Sequence, residues 1–131
     1  MTSVQAQLKA IANKSMVKAE QVVRLTVNDT VNNIIIGSPV RDGLFMNNWL
    51  SGYSYNTSTN DSPDHSASAS YGSFSQAMSA YDLGKTFYFT NSLPYAKKLE
   101  DGHSEQAPVG MVKINTARFN AIAQSYINQL K

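Results

Sequence analysis

The stretch from Asn91 to Val112 is the densest in backbone punctuation, and it restricts the path of everything around it. Pro94 suits a first helical position, where its missing N–H would have no partner anyway. Gly102 suits the residue just past a helix end, where positive φ costs little without a Cβ. The spacing predicts a short helix from Pro94 to about Asp101, with Lys97 and Lys98 in its last turns, favourable for the dipole. A polar corner follows, and Ala107-Pro108 opens another apolar-periodic run. The segment reads as strand end, short helix, fixed corner and long helix.

At 131 residues the chain fits one domain with a modest core, 1–131, and oligomerisation is one way to bury more surface. Net charge is +2, with a pI of 8.9. So small a net charge gives little long-range attraction to phosphates, so the pI does not imply a nucleic-acid binder. The absence of cysteine excludes disulfides, thiolate metal sites and cysteine catalysis. No apolar run approaches the roughly 20 residues that span a bilayer. The first residues lack a basic n-region and an apolar h-region, so folding in a cytoplasm is expected.

Residues 3 to about 36 read as one long helix. Val4, Leu8, Ile11, Ser15, Ala19, Val22 and Thr26 step by four and three, and Ala12, Met16, Val23, Val27 and Val31 widen the stripe. Thr2 and Gln5 resemble a capping box, and Gly37 with Pro39 forms a stop. A continuous helix would be about 50 Å long, too long for so small a core. It therefore breaks near Asn28-Asp29 or packs partly on another subunit. Ile34-Ile35-Ile36 is apolar all round and predicts a buried end, with a strand over 31–36 as an alternative.

Ser38 to Gly43 is a turn, Leu44 to Asn48 a helical turn, and Trp49 to Asn56 an alternating strand with Trp49, Ser51, Tyr53 and Tyr55 on one face. Trp49 reads as a core anchor beside Pro39. Residues 56–73 are nearly all small and polar. They form either a solvated, flexible loop or an arm that orders against a partner, with Asn56, Ser58, Asp61, Asp64, His65 and Tyr71 its candidate contacts. Phe74, Ala77, Met78 and Tyr81 predict a two-turn helix, with Ser73 its cap and Gly84 its stop. Lys85 to Asn91 is a second strand, and Val109 to Leu130 a helix. The fold class is α+β: a small, mostly antiparallel sheet packed on a long N-terminal and a C-terminal helix.

Catalytic machinery is hard to find. His65 lies in the polar loop, a poor place to preorganise chemistry. Glu100, Asp101, His103 and Glu105 could suggest an acid–base pair or metal site, but their spacing matches no helical His–carboxylate motif. No nucleophile elbow, phosphate loop or dinucleotide fingerprint occurs. Tyr53, Tyr55, Phe87, Tyr88 and Phe89 could stack bases, but no Lys/Arg cluster is interleaved with them, and Arg24, Arg41 and Arg118 are isolated. Met46, Met78 and Met111 read as gap fillers.

Two blocks go further. Ser38-Pro39-Val40-Arg41-Asp42-Gly43-Leu44-Phe45-Met46-Asn47-Asn48-Trp49 resembles the Pro-Val-Asp-Thr-Gly-x-Leu-x-x-Ser-Trp block of small neck proteins of long-tailed bacteriophages, the head–tail joining or tail completion proteins. Arg41-Asp42 stands where that block has Asp-Thr. Asn91 to Gly102, with Ser104, Gln106-Ala107-Pro108 and Gly110-Met111-Val112, is similar to that family's Asn-x-Leu-Pro-Tyr-Ala-x-x-Leu-Glu-x-Gly followed by Ser-x-Gln-Ala-Pro-x-Gly-Met. The matching positions include Pro39, Gly43, Trp49, Asn91, Pro94, Tyr95, Glu100, Gly102, Gln106, Pro108 and Gly110. The resemblance covers most of the chain apart from about 55–85.

The resemblance carries over no catalytic residue, metal or cofactor. It implies a structural role in the virion: a homo-oligomeric ring, of six subunits, between the tail-tube protein and the head-closure or connector protein. DNA would pass through its channel without specific binding, and no membrane is involved. A tail terminator that caps the tube is the near alternative; a DNA-binding accessory protein and a small hydrolase using His103 and Glu100 are more distant ones.

Overall fold

The computed structural model describes residues 3–130. Its element order is α1 (Val4–Lys14), α2 (Met16–Ile36), β1 (Trp49–Gly52), α3 (Ser68–Ser79), β2 (Tyr88–Asn91), α4 (Ala96–Glu100), α5 (Val112–Thr116) and α6 (Phe119–Leu130). The expected α+β class holds: helices pack on a two-stranded antiparallel sheet in which Trp49 faces Asn91 and Ser51 faces Phe89. No described helix is long and apolar enough to cross a membrane.

The first helix is broken, but at Ser15 and not near Asn28-Asp29. Ser15 has extended backbone (φ −156°, ψ 102°); its N–H donates to the Ile11 carbonyl, closing α1, and its hydroxyl accepts from the Lys18 N–H, starting α2. A single serine thus serves as the end of one helix and the N-cap of the next. The turn lets α1 lie against α6, with the Gln7 and Gln124 amides paired at 2.7 and 3.0 Å. α1 itself is capped by Ser3, whose hydroxyl accepts from the Ala6 N–H; the Thr2 half of the expected capping box lies outside the described residues.

Residues 31–36 are helical, so the strand alternative fails. The three isoleucines are also not equivalent: Ile34 and Ile35 are buried, while Ile36 is 67% exposed. The helix turns its sides at about 100° per residue, so three consecutive positions cannot share one buried face.

Two apolar cores result, joined by α2. One holds Val22, Ala123 and Ile127, flanked by Val4, Leu8, Ile11, Tyr126 and Leu130. The other gathers Val31, Ile34, Ile35, Phe45, Trp49, Phe74, Leu93 and Met111. Trp49 stacks on Phe89 at 4.9 Å between centroids and meets Phe45 edge-on at 5.6 Å.

Both strands are shorter than the alternation suggested. β1 ends at Gly52, because Tyr53 stacks on Tyr81 and its hydroxyl donates to the Ala77 carbonyl, while Tyr55 is 72% exposed. The C-terminal helix begins at Val112, not Val109, and is interrupted at Ala117-Arg118. Asn115 and Thr116 donate to the Met111 and Val112 carbonyls, competing with the backbone ladder at that point.

Helix α3 starts six residues earlier than expected, at Ser68, so the polar segment is shorter than 56–73. Ser73 is no cap. Its hydroxyl accepts from the Ser51 N–H at 3.0 Å, and that of Ser70 accepts from the Trp49 N–H at 3.0 Å. The serines of α3 therefore satisfy the outer edge of β1, where a third strand would otherwise pair. The end of α3 is held by Arg24, whose guanidinium donates to the Met78 and Tyr81 carbonyls at 2.5 Å each and to Glu20 at 2.9 Å. A cation at a helix C-terminus is favourable, so this arginine is not isolated.

Candidate assembly surface

The two sequence blocks separated by some forty residues meet in the fold. The Gln106 amide donates to the Val40 carbonyl and accepts from the Val40 N–H, both at 2.9 Å. Asn91 donates to the Phe45 carbonyl at 2.9 Å and accepts from the Leu93 N–H. Trp49 donates its indole N–H to Ser38, beside the buried Pro39, and Ser38 donates in turn to the Ile34 carbonyl. Each amide or indole removes a polar backbone or side-chain group from competition with water.

The glycines of the blocks are fixed by φ and by space. Gly43 has φ 89°, and a Cβ there would lie 2.5 Å from the Asp64 carbonyl carbon. Gly102 has φ 91° and follows the C-cap Asp101. The His103 N–H reaches the Lys98 carbonyl and the Gly102 N–H reaches that of Leu99, the paired bonds of a Schellman ending. Gly110 has φ 78° and packs its bare Cα against the Glu100 carbonyl and carboxylate. Pro94 lies in a turn closed by the Ala96 N–H and the Leu93 carbonyl, just ahead of α4 and not within it. Pro108 is exposed in the following corner.

Glu100 is the centre of this corner. Its carboxylate accepts from the backbone N–H groups of Met111, Val112 and Lys113 at 2.8 to 2.9 Å. Partial burial pushes its pKa up, but the three N–H bonds and the Lys113 charge outweigh this and hold it below its ordinary value. The carboxylate thus acts as a remote cap for α5. Among the described residues no hydrogen bond or ion pair joins this carboxylate to His103; its bonds go to the backbone. No three His, Asp or Glu side chains among the described residues are grouped to hold a metal ion.

Between the blocks lies an open groove of about 880 Å³, lined by Pro39, Arg41, Phe45, Tyr95, His103 and Gln106 among others. Tyr95 is 40% exposed on its wall and 6.1 Å from the Phe45 ring. Groove and corner form one surface built on backbone-fixed turns.

The six arm candidates divide. Asp64 accepts from the hydroxyls and N–H groups of Ser66 and Ser68, which hold its carboxyl well below the usual range, and Tyr71 is part of α3 with its hydroxyl on Asn32. These two are structural ties. Asn56, Ser58, Asp61 and His65 are exposed, although Asn56 accepts from the Ser58 N–H and its carbonyl accepts from the Thr90 hydroxyl.

The ties that matter most involve residues that sequence reasoning passed over. Asn47 and Asn48 are 2% and 1% exposed. Asn47 donates to the Ser62 carbonyl and accepts from the Ala69 N–H; Asn48 accepts from the Asn60 N–H at 2.8 Å and donates to the Leu44 carbonyl. The Asn60 amide returns a bond to the Asn47 carbonyl. Residues 60–69 are therefore strapped to the turn before β1. The available signal was two adjacent amides directly preceding the core tryptophan.

No family model matches the chain, and neither a curated protein nor a solved structure matches it.

Proposed function

We propose that the chain is a structural subunit of the neck of a tailed bacteriophage, forming a ring that completes the tail and joins it to the head connector. The observation that carries the reading is the meeting of the two motif-bearing blocks. Residues 38–49 and 91–112 resemble the neck family in sequence, and they are joined through Gln106–Val40 and Asn91–Phe45 into one rigid surface. A motif kept for catalysis would leave its polar groups free for substrate. Here Glu100, Gln106 and Asn91 are engaged with backbone, which suits a surface that must hold its shape against another protein.

The ring would let DNA pass, and the net charge of +2 suits passage better than grip. The test is genetic and structural together. Loss of the gene should give tails of normal length that fail to join heads, and the protein should be found between the two in intact virions. Tails of uncontrolled length would mark the chain as a terminator instead. Normal virions without the protein would end the neck reading.

A further inference from the structure

The bend between α1 and α2 is a single residue wide. Val4–Lys14 and Met16–Ile36 are helical, and between them Ser15 alone is extended, at φ −156° and ψ 102°. Nothing in the sequence demands a break there, because residues 1–36 hold neither glycine nor proline. The side-chain pattern does not break either: Leu8, Ile11, Ser15, Ala19 and Val22 keep to one helical face across the bend.

The bend also forgoes hydrogen bonds. In a continuous helix the Met16, Val17 and Lys18 N–H groups would meet the Ala12, Asn13 and Lys14 carbonyls. In the bent chain one helix ends and the next begins at these positions, and the Ser15 hydroxyl answers the Lys18 N–H at 3.3 Å. What holds the bend is therefore the docking of α1: Val4, Leu8 and Ile11 lie against the core of Val22, Ala123 and Ile127, and the Gln7 amide pairs with Gln124. That docking is shallow. No residue of α1 is buried, and a groove of about 590 Å³, lined by Ala6, Ile11, Lys14, Lys18 and Leu130, stays open along the inside of the bend.

Straightened, α1 would project from the domain with its apolar face bare, and would leave the α2–α6 face bare behind it. These two faces fit each other, since they are already in contact in the bent chain. The cover that suits both is a second copy in the same state. We infer that α1 is an exchangeable arm: in assembled chains α1 and α2 form one helix through Ser15, and each α1 docks on the α2–α6 face of another copy. A short hinge is the usual seat of such an exchange. Exchange adds new contact at the hinge itself, and there the single chain exposes Met16 at 56% and Val17 at 77%. The exchange stands without the neck reading; its use as the tie between ring subunits rests on that reading.

The test uses the purified full chain, which has no cysteine of its own. Its mass should rise across a concentration series, and the Met16, Val17 and Lys18 amides should gain protection from hydrogen exchange as it does. Gln7→Cys and Gln124→Cys chains, assembled together, should be joined by a short bis-maleimide at least about tenfold faster than Gln7→Cys chains assembled with Ser58→Cys chains. Met16→Pro suits the bent form, because proline is at home in a first helical position and keeps the residue before it extended. It cannot carry a helix through residue 15, so it should keep the fold by circular dichroism and abolish assembly. Ser15→Ala removes the cap of the bent form alone and should strengthen assembly about fivefold or more. A chain that stays single at every concentration, assembly that survives Met16→Pro, or equal cross-linking in the two mixtures would each overturn the inference. Any of these results leaves the neck reading standing; absence of the protein from virions removes the neck reading and leaves the exchange.

Discussion

The two ends of α2 are stabilised by different means. At its N-terminal end, α1, α2 and α6 meet over Val22, Ala123 and Ile127, and the side-chain bonds that tie the helices together there include Gln7–Gln124 and Tyr126–Asp29. At its C-terminal end the core is aromatic, and nearly every loop around it is sewn to a neighbour by an amide, hydroxyl or carboxylate on backbone. The difference follows from geometry. Helices satisfy their own backbone and need only an apolar stripe to dock. Turns and a four-residue strand leave backbone groups open, and buried ones must find partners in side chains. The first kind of end tolerates change; the second is rigid and specific.

The sharpest way to break this contrast is at Trp49. Trp49→Ala should cost about 3–5 kcal/mol, because it empties a ring-sized space and strips the Ser38 hydroxyl and the Phe89 face of their partner. Chemical denaturation of the unassembled chain measures it. Ile127→Ala removes the fully buried centre of the helical end and should cost less, about 2–3 kcal/mol, since three helices can close on the gap. Equal losses at the two sites would erase the distinction.

Glu100→Gln comes next, at about 1.5–2 kcal/mol, through loss of charge on three N–H acceptor bonds. It also has a pH signature. The folded-state pKa of Glu100 lies below its ordinary value, so its contribution is complete above that value and is lost as pH falls through the lowered one. The wild-type chain should therefore lose stability in acid more steeply than the Gln variant, with Asp64 contributing to the slope that remains. Parallel acid titrations of the two would contradict the capping role. Smallest is Ser15→Ala, about 1 kcal/mol for a lost N-cap. Its effect should fall on the first turn of α2, whose Lys18 N–H loses its acceptor, and appear as faster amide exchange there with little change around Trp49.

The same division explains what could be read from the residues alone. Periodicity placed helix over 3–36 and 109–130, the stretches that hold α1, α2, α5 and α6, because in helices the side-chain pattern is the structure. It ran through the break at Ser15 and started the last helix too early at Val109, where a local hydrogen bond or a positive-φ glycine decides the end and pattern carries no information. The corner from Pro94 to Gly110 was legible because proline and glycine state their backbone requirements directly. The strap was not. Residues 60–69 look solvated because their own side chains are polar, and what holds them is supplied by Asn47 and Asn48, a dozen or more residues away. The covered outer edge of β1 was equally hidden, since it depends on where α3 lands.

The serines of α3 have one more consequence, and it is metric. Successive outward N–H groups of a strand recur every two residues, about 6.8 Å apart, whereas hydroxyls three residues apart on a helix recur at about 4.5 Å. Ser70 and Ser73 can bridge that disparity once, for Trp49 and Ser51. Carried one step further the two rulers would be nearly 5 Å out of step, beyond the reach of a hydroxyl. The next outward position, Tyr53, meets α3 through its phenol on the Ala77 carbonyl instead, and its ring stacks on Tyr81 beyond the helix. A helix used as the rail of a strand thus sets the strand's length, as a vernier allows only one pair of marks to coincide.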